Sequence, residues 1–92
     1  MATAQQNRER RDKEHQEQDR RNSLIGDRVI HALGKPGGLY KVDVRPLWGK
    51  YYRVNIMIEG AAGSAKIADS FFLETDSDGS IVASSPKIAR KY

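Results

Sequence analysis

The hydrophobic pattern changes twice along the chain. Through residues 1–22, MATAQQNRERRDKEHQEQDRRN, the only apolar residues are Met1, Ala2 and Ala4. Such a stretch buries too little apolar surface to offset the entropy of ordering, so disorder is its first reading. A helix is the second. Glu9–Lys13 and Glu17–Arg21 are i,i+4 pairs in the favourable order, and Arg10–Glu14 and Lys13–Glu17 are reversed pairs. Each contributes about 0.2–0.5 kcal/mol to helicity. Gln, Glu, Arg and Lys favour helix, and no Gly or Pro interrupts residues 1–25. On this second reading the arm is a solvated, fraying helix continuous with the next element.

From residue 23 the period is 3.6. In SLIGDRVIHAL, residues Ile25, Val29, Ala32 and Leu33 stand at i, i+4, i+7 and i+8, one apolar stripe of a helix over 23–33. Ser23 is the expected N-cap and Asp27 is expected near the positive end of the dipole. Gly34 with Lys35-Pro36 is the stop. Gly26 costs such a helix about 1 kcal/mol relative to Ala, which suits close packing on a sheet.

The period then falls to two. In LYKVDVRPL, Tyr40, Val42 and Val44 alternate with Lys41, Asp43 and Arg45, a half-buried strand. After a turn at residues 46–50, YYRVNIMIE places Tyr52, Val54, Ile56 and Ile58 on one face and Tyr51, Arg53, Asn55 and Met57 on the other. A third strand near KIADSFFLETD is expected to point Ile67, Phe71 and Leu73 inward and Phe72 and Glu74 outward, with Asp69 an awkward member. Asp76-Ser-Asp78-Gly79 turns the chain into a fourth strand, SIVASS, ended by Pro86. The tail, KIARKY, is a short helical turn or a bare end.

The predicted fold is α+β: one N-terminal helix, then a four-stranded antiparallel β-meander, with the helix packed on one sheet face. Residues 1–22 are a charged polyampholyte arm and 23–92 the small domain. An 11-residue helix is about 16 Å long and covers two or three strands. Part of the sheet is thereby left for another copy or a partner.

Composition narrows the function classes. The chain has 92 residues, no Cys and two His. Disulfides, thiol nucleophiles and cysteine metal sites are therefore excluded. Formal net charge is +4, of which the arm carries +1, too mild an excess to specify a polyanion partner. No 20-residue apolar run is present to span a bilayer, so no membrane role is expected. The N-terminus lacks the apolar core of a secretory signal, and cytoplasmic localisation is the default expectation.

No catalytic residue is expected, nor a cofactor. A nucleophile needs an activating base, and the imidazoles are His15, in the arm, and His31, on the helix face away from Ile25 and Val29. Glu74, Asp76, Asp78 and Gly79 match the first part of a calcium-loop pattern, but Ser85 stands where the bidentate Glu belongs. A plain hairpin, with Asp capping the turn and Gly supplying positive φ, is the preferred reading, and no metal site is expected.

Two binding surfaces are predicted, both on the sheet's polar side. Lys41, Arg45, Lys50, Tyr51 and Arg53 form a basic–aromatic face able to pair with phosphates and stack on unpaired bases. Lys and Arg are also ordinary choices for a wet strand face. Trp48, Met57 and Phe72, with Tyr51, place aromatics and a thioether on the same side, as at the centres of protein interfaces. Alternatively Phe72 packs beneath the tail, with Ile88 and Tyr92 as its cover. A non-enzymatic binding or assembly module acting through the sheet is the expected function, with a protein partner or a homo-oligomer. Nucleic-acid or polyanion binding is the alternative. Double-stranded-RNA-binding domains resemble this chain in beginning with a helix and then strands, and cystatin-like folds in placing four strands after a helix. The closing lysine-bearing helix of the first and the loop motifs of the second are missing here, and topology alone carries no function.

Overall fold

The computed structural model describes the backbone of residues 2–92 and the side chains of residues 15–92. One helix, α1 (Ala2–Leu33), is followed by four strands: β1 (Leu39–Pro46), β2 (Tyr51–Glu59), β3 (Ala65–Thr75) and β4 (Ile81–Ser85). They form one antiparallel sheet in the order β1-β2-β3-β4. The expected helix-then-meander architecture is thus the observed one.

Helix α1 runs unbroken through the boundary drawn at residue 22, so Ser23 is an interior residue and not an N-cap, and Asp27 lies far from the positive end. Gln18 Nε2 reaches Asn22 Oδ1 at 2.8 Å and Tyr52 Oη at 3.5 Å, tying the turn before Ser23 to the sheet. The stop at Gly34 holds. Its φ is +93°, and its N–H donates to Ile30 O at 2.8 Å, an αL closure that glycine adopts without Cβ strain.

Ile25, Val29 and Leu33 are buried against Tyr52, Val54, Ile56, Phe71 and Leu73, all at most 4% exposed. Ala32, expected in the stripe, is exposed, and the half-buried Ile30 packs against this core instead. A Cβ at Gly26 would lie 3.3 Å from Val42 Cγ1 and from Val44 Cγ2, so the helix sits hard against β1, as that glycine suggested. Burying the eight core side chains, each worth about 1.5–3 kcal/mol against exposure, is the main favourable term.

Two expected inward residues point elsewhere, and a bulge explains each. In β1, Leu39 pairs with Ile58 and Lys41 with Met57, leaving Tyr40 as the extra residue. Leu39 takes the place against the core while Tyr40 is 60% exposed. In β3, Ile56 pairs with Asp69 and Met57 with Ile67, with Ala68 extra. The shift carries Ile67 to the outer face, where it is 57% exposed, while Asp69 keeps the inner face that alternation with Phe71 and Leu73 gives it. Strict alternation cannot survive an inserted residue.

The tail answers Asp69. Lys91 Nζ lies 2.9 Å from Asp69 Oδ1, and Tyr92 Oη donates to Oδ2 at 2.7 Å. The Lys91 and Tyr92 amides both donate to Leu33 O, at 2.8 and 3.1 Å, closing the helix end. Burial opposes the Asp69 charge most strongly, but the Lys91 and Tyr92 hydrogen bonds and the Lys91 charge together hold its carboxyl below the ordinary range. The Asp69 hydrogen bond chiefly raises Lys91. The tail is neither helical nor bare. It runs beneath the inner face, where Ile88 packs on the core, and so does not cover Phe72.

Candidate interaction face

Among the described residues no second layer covers the other face of the sheet: the shortest dimension is 18 Å, the depth of one helix on one sheet. Strand pairing arranges its side chains in rows. Lys41, Met57 and Ile67 form the first; Asp43, Asn55 and Ser70 the second; Arg45, Arg53, Phe72 and Ser85 the third; Tyr51, Glu74 and Ala83 the fourth. All eight residues singled out from the sequence fall on this face or in the adjoining turn.

The aromatic residues make a ladder. Tyr51 and Phe72 stack with ring centroids 5.6 Å apart and planes 19° apart, and Trp48 tilts onto Tyr51 at 6.0 Å. Offset aromatic pairs of this kind contribute about 0.5–1.5 kcal/mol beyond burial. Trp48 stays 66% exposed. Met57 is half-buried at the opposite end, beside the exposed Ile67. Sequence reading misses Ile67 because its place depends on the β3 bulge.

The basic residues are brought together but largely answered. Arg45 Nε lies 2.8 Å from Asp43 Oδ2, and Lys41 Nζ 4.0 Å from Oδ1. Asn55 Nδ2 reaches the same carboxylate at 3.5 Å. The Arg45 hydrogen bond is the principal cause that holds the Asp43 carboxyl below its usual value. Partial burial opposes it, while Asn55 and the Arg45 and Lys41 charges assist. Arg53 stands directly opposite Arg45 and donates to the neutral Ser70 Oγ at 3.1 Å. Ser70 in turn donates to Asn55 Oδ1 at 2.7 Å. Tyr51 Oη donates to Glu74 Oε1 at 3.2 Å. The exposed Lys50 acts here through its backbone: its carbonyl accepts both the amide and the hydroxyl of the buried Thr75, each at 2.9 Å.

Elsewhere the residues are structural. Asp76 Oδ1 accepts from the amides of Asp78 (3.0 Å) and Ser80 (2.9 Å), an Asx-type closure of the β3–β4 turn. Arg28 Nη1 ties that turn to α1 through Asp78 O (3.2 Å) and Ser80 Oγ (3.0 Å). His31 is exposed. An open cleft of about 540 Å³ between α1 and β1 is lined by Asp19, Asn22, Asp27, Lys41 and Asp43 among others. Among the described residues no three His, Cys, Asp or Glu side chains gather to hold a metal, and no helix is long and apolar enough to cross a membrane.

No family model matches the chain, and neither a curated protein nor a solved structure does. Function is therefore read from the face itself.

Proposed function

We propose that the chain is a non-enzymatic protein-interaction module whose binding surface is the outer face of the sheet. The observation that carries this reading is the Trp48–Tyr51–Phe72 ladder, set on β2, β3 and the β1–β2 turn with no layer over it among the described residues. Stacked aromatics on a fixed scaffold offer large contact area at little entropic cost, the character of interface anchors. Asn55, Ser70, Asp43 and Arg45 supply a hydrogen-bonding field beside them.

Nucleic-acid binding by Lys41, Arg45, Lys50, Tyr51 and Arg53 is less well supported. Asp43 already neutralises much of the Lys41–Arg45 pair, and Glu74 adds a second carboxylate next to Tyr51, where a phosphate backbone would pass. Single-stranded DNA titrated at low salt should leave Trp48 emission and anisotropy unchanged. Micromolar, salt-sensitive binding would favour the polyanion reading instead.

The direct test places a photo-crosslinking phenylalanine derivative at Trp48 or at Phe72, with His31 on the helix surface as control, in cells producing the chain. Adducts of discrete mass from positions 48 and 72, and none from 31, are expected. Equal labelling from all three positions, or none from any, overturns the proposal.

A further inference from the structure

Resting on the reading of the outer face as a protein-binding surface, we propose that its occupant is a second copy of the chain. The two sheets stack about a two-fold axis in the plane between them, perpendicular to the strands and level with the gap between Asn55 and Arg53. Charges complement one another across the two middle rows. Such an axis exchanges the second and third rows, so Asp43 of each copy meets Arg45 of the other, and Asn55 meets Arg53. It also exchanges the first and fourth, bringing Lys41 and Met57 to the Trp48–Tyr51 end. Thioether and ammonium groups both pack favourably on aromatic rings. On β1 and β2 the face thus complements itself, as an isologous interface requires, while on β3 Ser70 meets Phe72 and Ile67 meets Glu74.

The isolated chain leaves a conflict that this arrangement resolves. Arg45 and Arg53 are directly opposite across β1 and β2, a destabilising like-charge pair. Asp43 bonds Arg45, while among the described residues Arg53 donates to a neutral hydroxyl alone. In the stacked pair Asp43 of the other copy lies over Arg45 and one strand away from Arg53, so each carboxylate serves both sheets.

Pairing through the sheet edges is disfavoured by the edge strands themselves. Strand β1 has a bulge at Tyr40 and ends at Pro46. Strand β4 is five residues long, with Val82 bulged and Pro86 following. Short, bulged, proline-flanked edges resist strand addition. Three strands over the four rows give a footprint of roughly 15 by 20 Å, about 300 Å² per copy, below the size of stable interfaces and in the range of weak, transient ones. Dimerisation is therefore sought from about 10 μM to 1 mM.

The test is a charge exchange read by sedimentation velocity on the full chain at moderate salt. The parent should approach twice the monomer mass of 10.3 kDa as concentration rises. Asp43→Arg and Arg45→Asp should each weaken self-association by about tenfold or more, because each places like charges across the axis. An equimolar mixture of the two single variants should recover association, since arginines of one copy then face aspartates of the other. The double variant D43R/R45D should recover it alone. Circular dichroism confirms that each variant is folded, and the mixture is a further control, since misfolded chains do not rescue one another. A parent that stays monomeric, single variants that associate like the parent, or a mixture that stays monomeric each overturns the second copy. If the crosslinks from Trp48 and Phe72 then lead to a different protein, only the choice of occupant fails. If they lead nowhere, the interaction reading fails with it.

Discussion

The two faces of the sheet are built by alternate residues of the same strands, yet they are held by different means. On the inner face, Tyr52, Val54, Ile56, Phe71 and Leu73 are at most 4% exposed and lie against Ile25, Val29 and Leu33 of the helix. Their order comes from being packed on all sides, where any lost methylene leaves a void. On the outer face order comes sideways, from Tyr51 on Phe72 and from the chain of hydrogen bonds through Arg53, Ser70, Asn55 and Asp43. Side chains fixed by lateral contacts keep one surface open, so this face is organised for binding without needing a cover to fold. Stability and binding should therefore separate by face.

Leu73→Ala is the largest way to strike at that division. Leu73 is fully buried, and truncations of this kind cost about 2–5 kcal/mol. A domain of this size has a total on the order of 3–5 kcal/mol. Urea unfolding followed by far-ultraviolet dichroism should show a chain unfolded, or nearly so, without denaturant. Full retention of the parent midpoint would mean that the inner face is not the source of stability.

Next in size is Gly34→Ala. At φ +93° a Cβ costs about 1–2 kcal/mol. The Tyr92 main-chain oxygen also occupies the place that Cβ would take. The midpoint should fall, and amide exchange at Lys91 and Tyr92 should accelerate beyond the global change, because both donate to Leu33 O. A uniform change would show that the tail does not rest on this glycine.

One position along from Leu73, Phe72→Ala removes an outer-face ring stacked on Tyr51. The expected cost is about 1 kcal/mol in the same urea experiment, together with loss of any association through the face. A destabilisation as large as that of Leu73→Ala would erase the distinction between the faces.

Much of this architecture is legible in residue order, because most strand positions obey a period of two and Gly34-Lys-Pro36 is an unambiguous stop. The assignment of Phe72, Tyr51 and Met57 to the outer side rests on that period. Tyr40 and Ile67 are not legible, since a bulge shifts the period by one without leaving a local mark in the sequence. Asp69 looks awkward for a different reason: alternation turns it inward, and its partners, Lys91 and Tyr92, lie more than 20 residues away and become neighbours only once the tail folds under the sheet. The helix ahead of Ser23 is undecided in sequence because a polar stretch with i,i+4 pairs and no apolar stripe suits both states.

The smallest effect tests the inner face where it is polar. Asp69 lies below its ordinary value of 3.8, so its contribution is present above that value and is lost as pH falls through its lower folded-state pKa. Lys91 lies above its ordinary 10.5, so its contribution is complete below that value and is lost as pH rises through the raised one. Lys91 is half exposed, and solvent screens such a pair, so the change in global stability should be slight. It is best read locally, from the amide resonances of Lys91 and Tyr92 through an acid titration. Asp43 is also depressed and adds its own acid step, but on the outer face. Asp69→Asn should therefore remove the Asp69 step from the titration at Lys91 and Tyr92 while leaving that of the Arg45 Nε–H resonance intact. Loss of both together would mean that the faces are coupled through the sheet and that their division into a stabilising and a binding side is too simple.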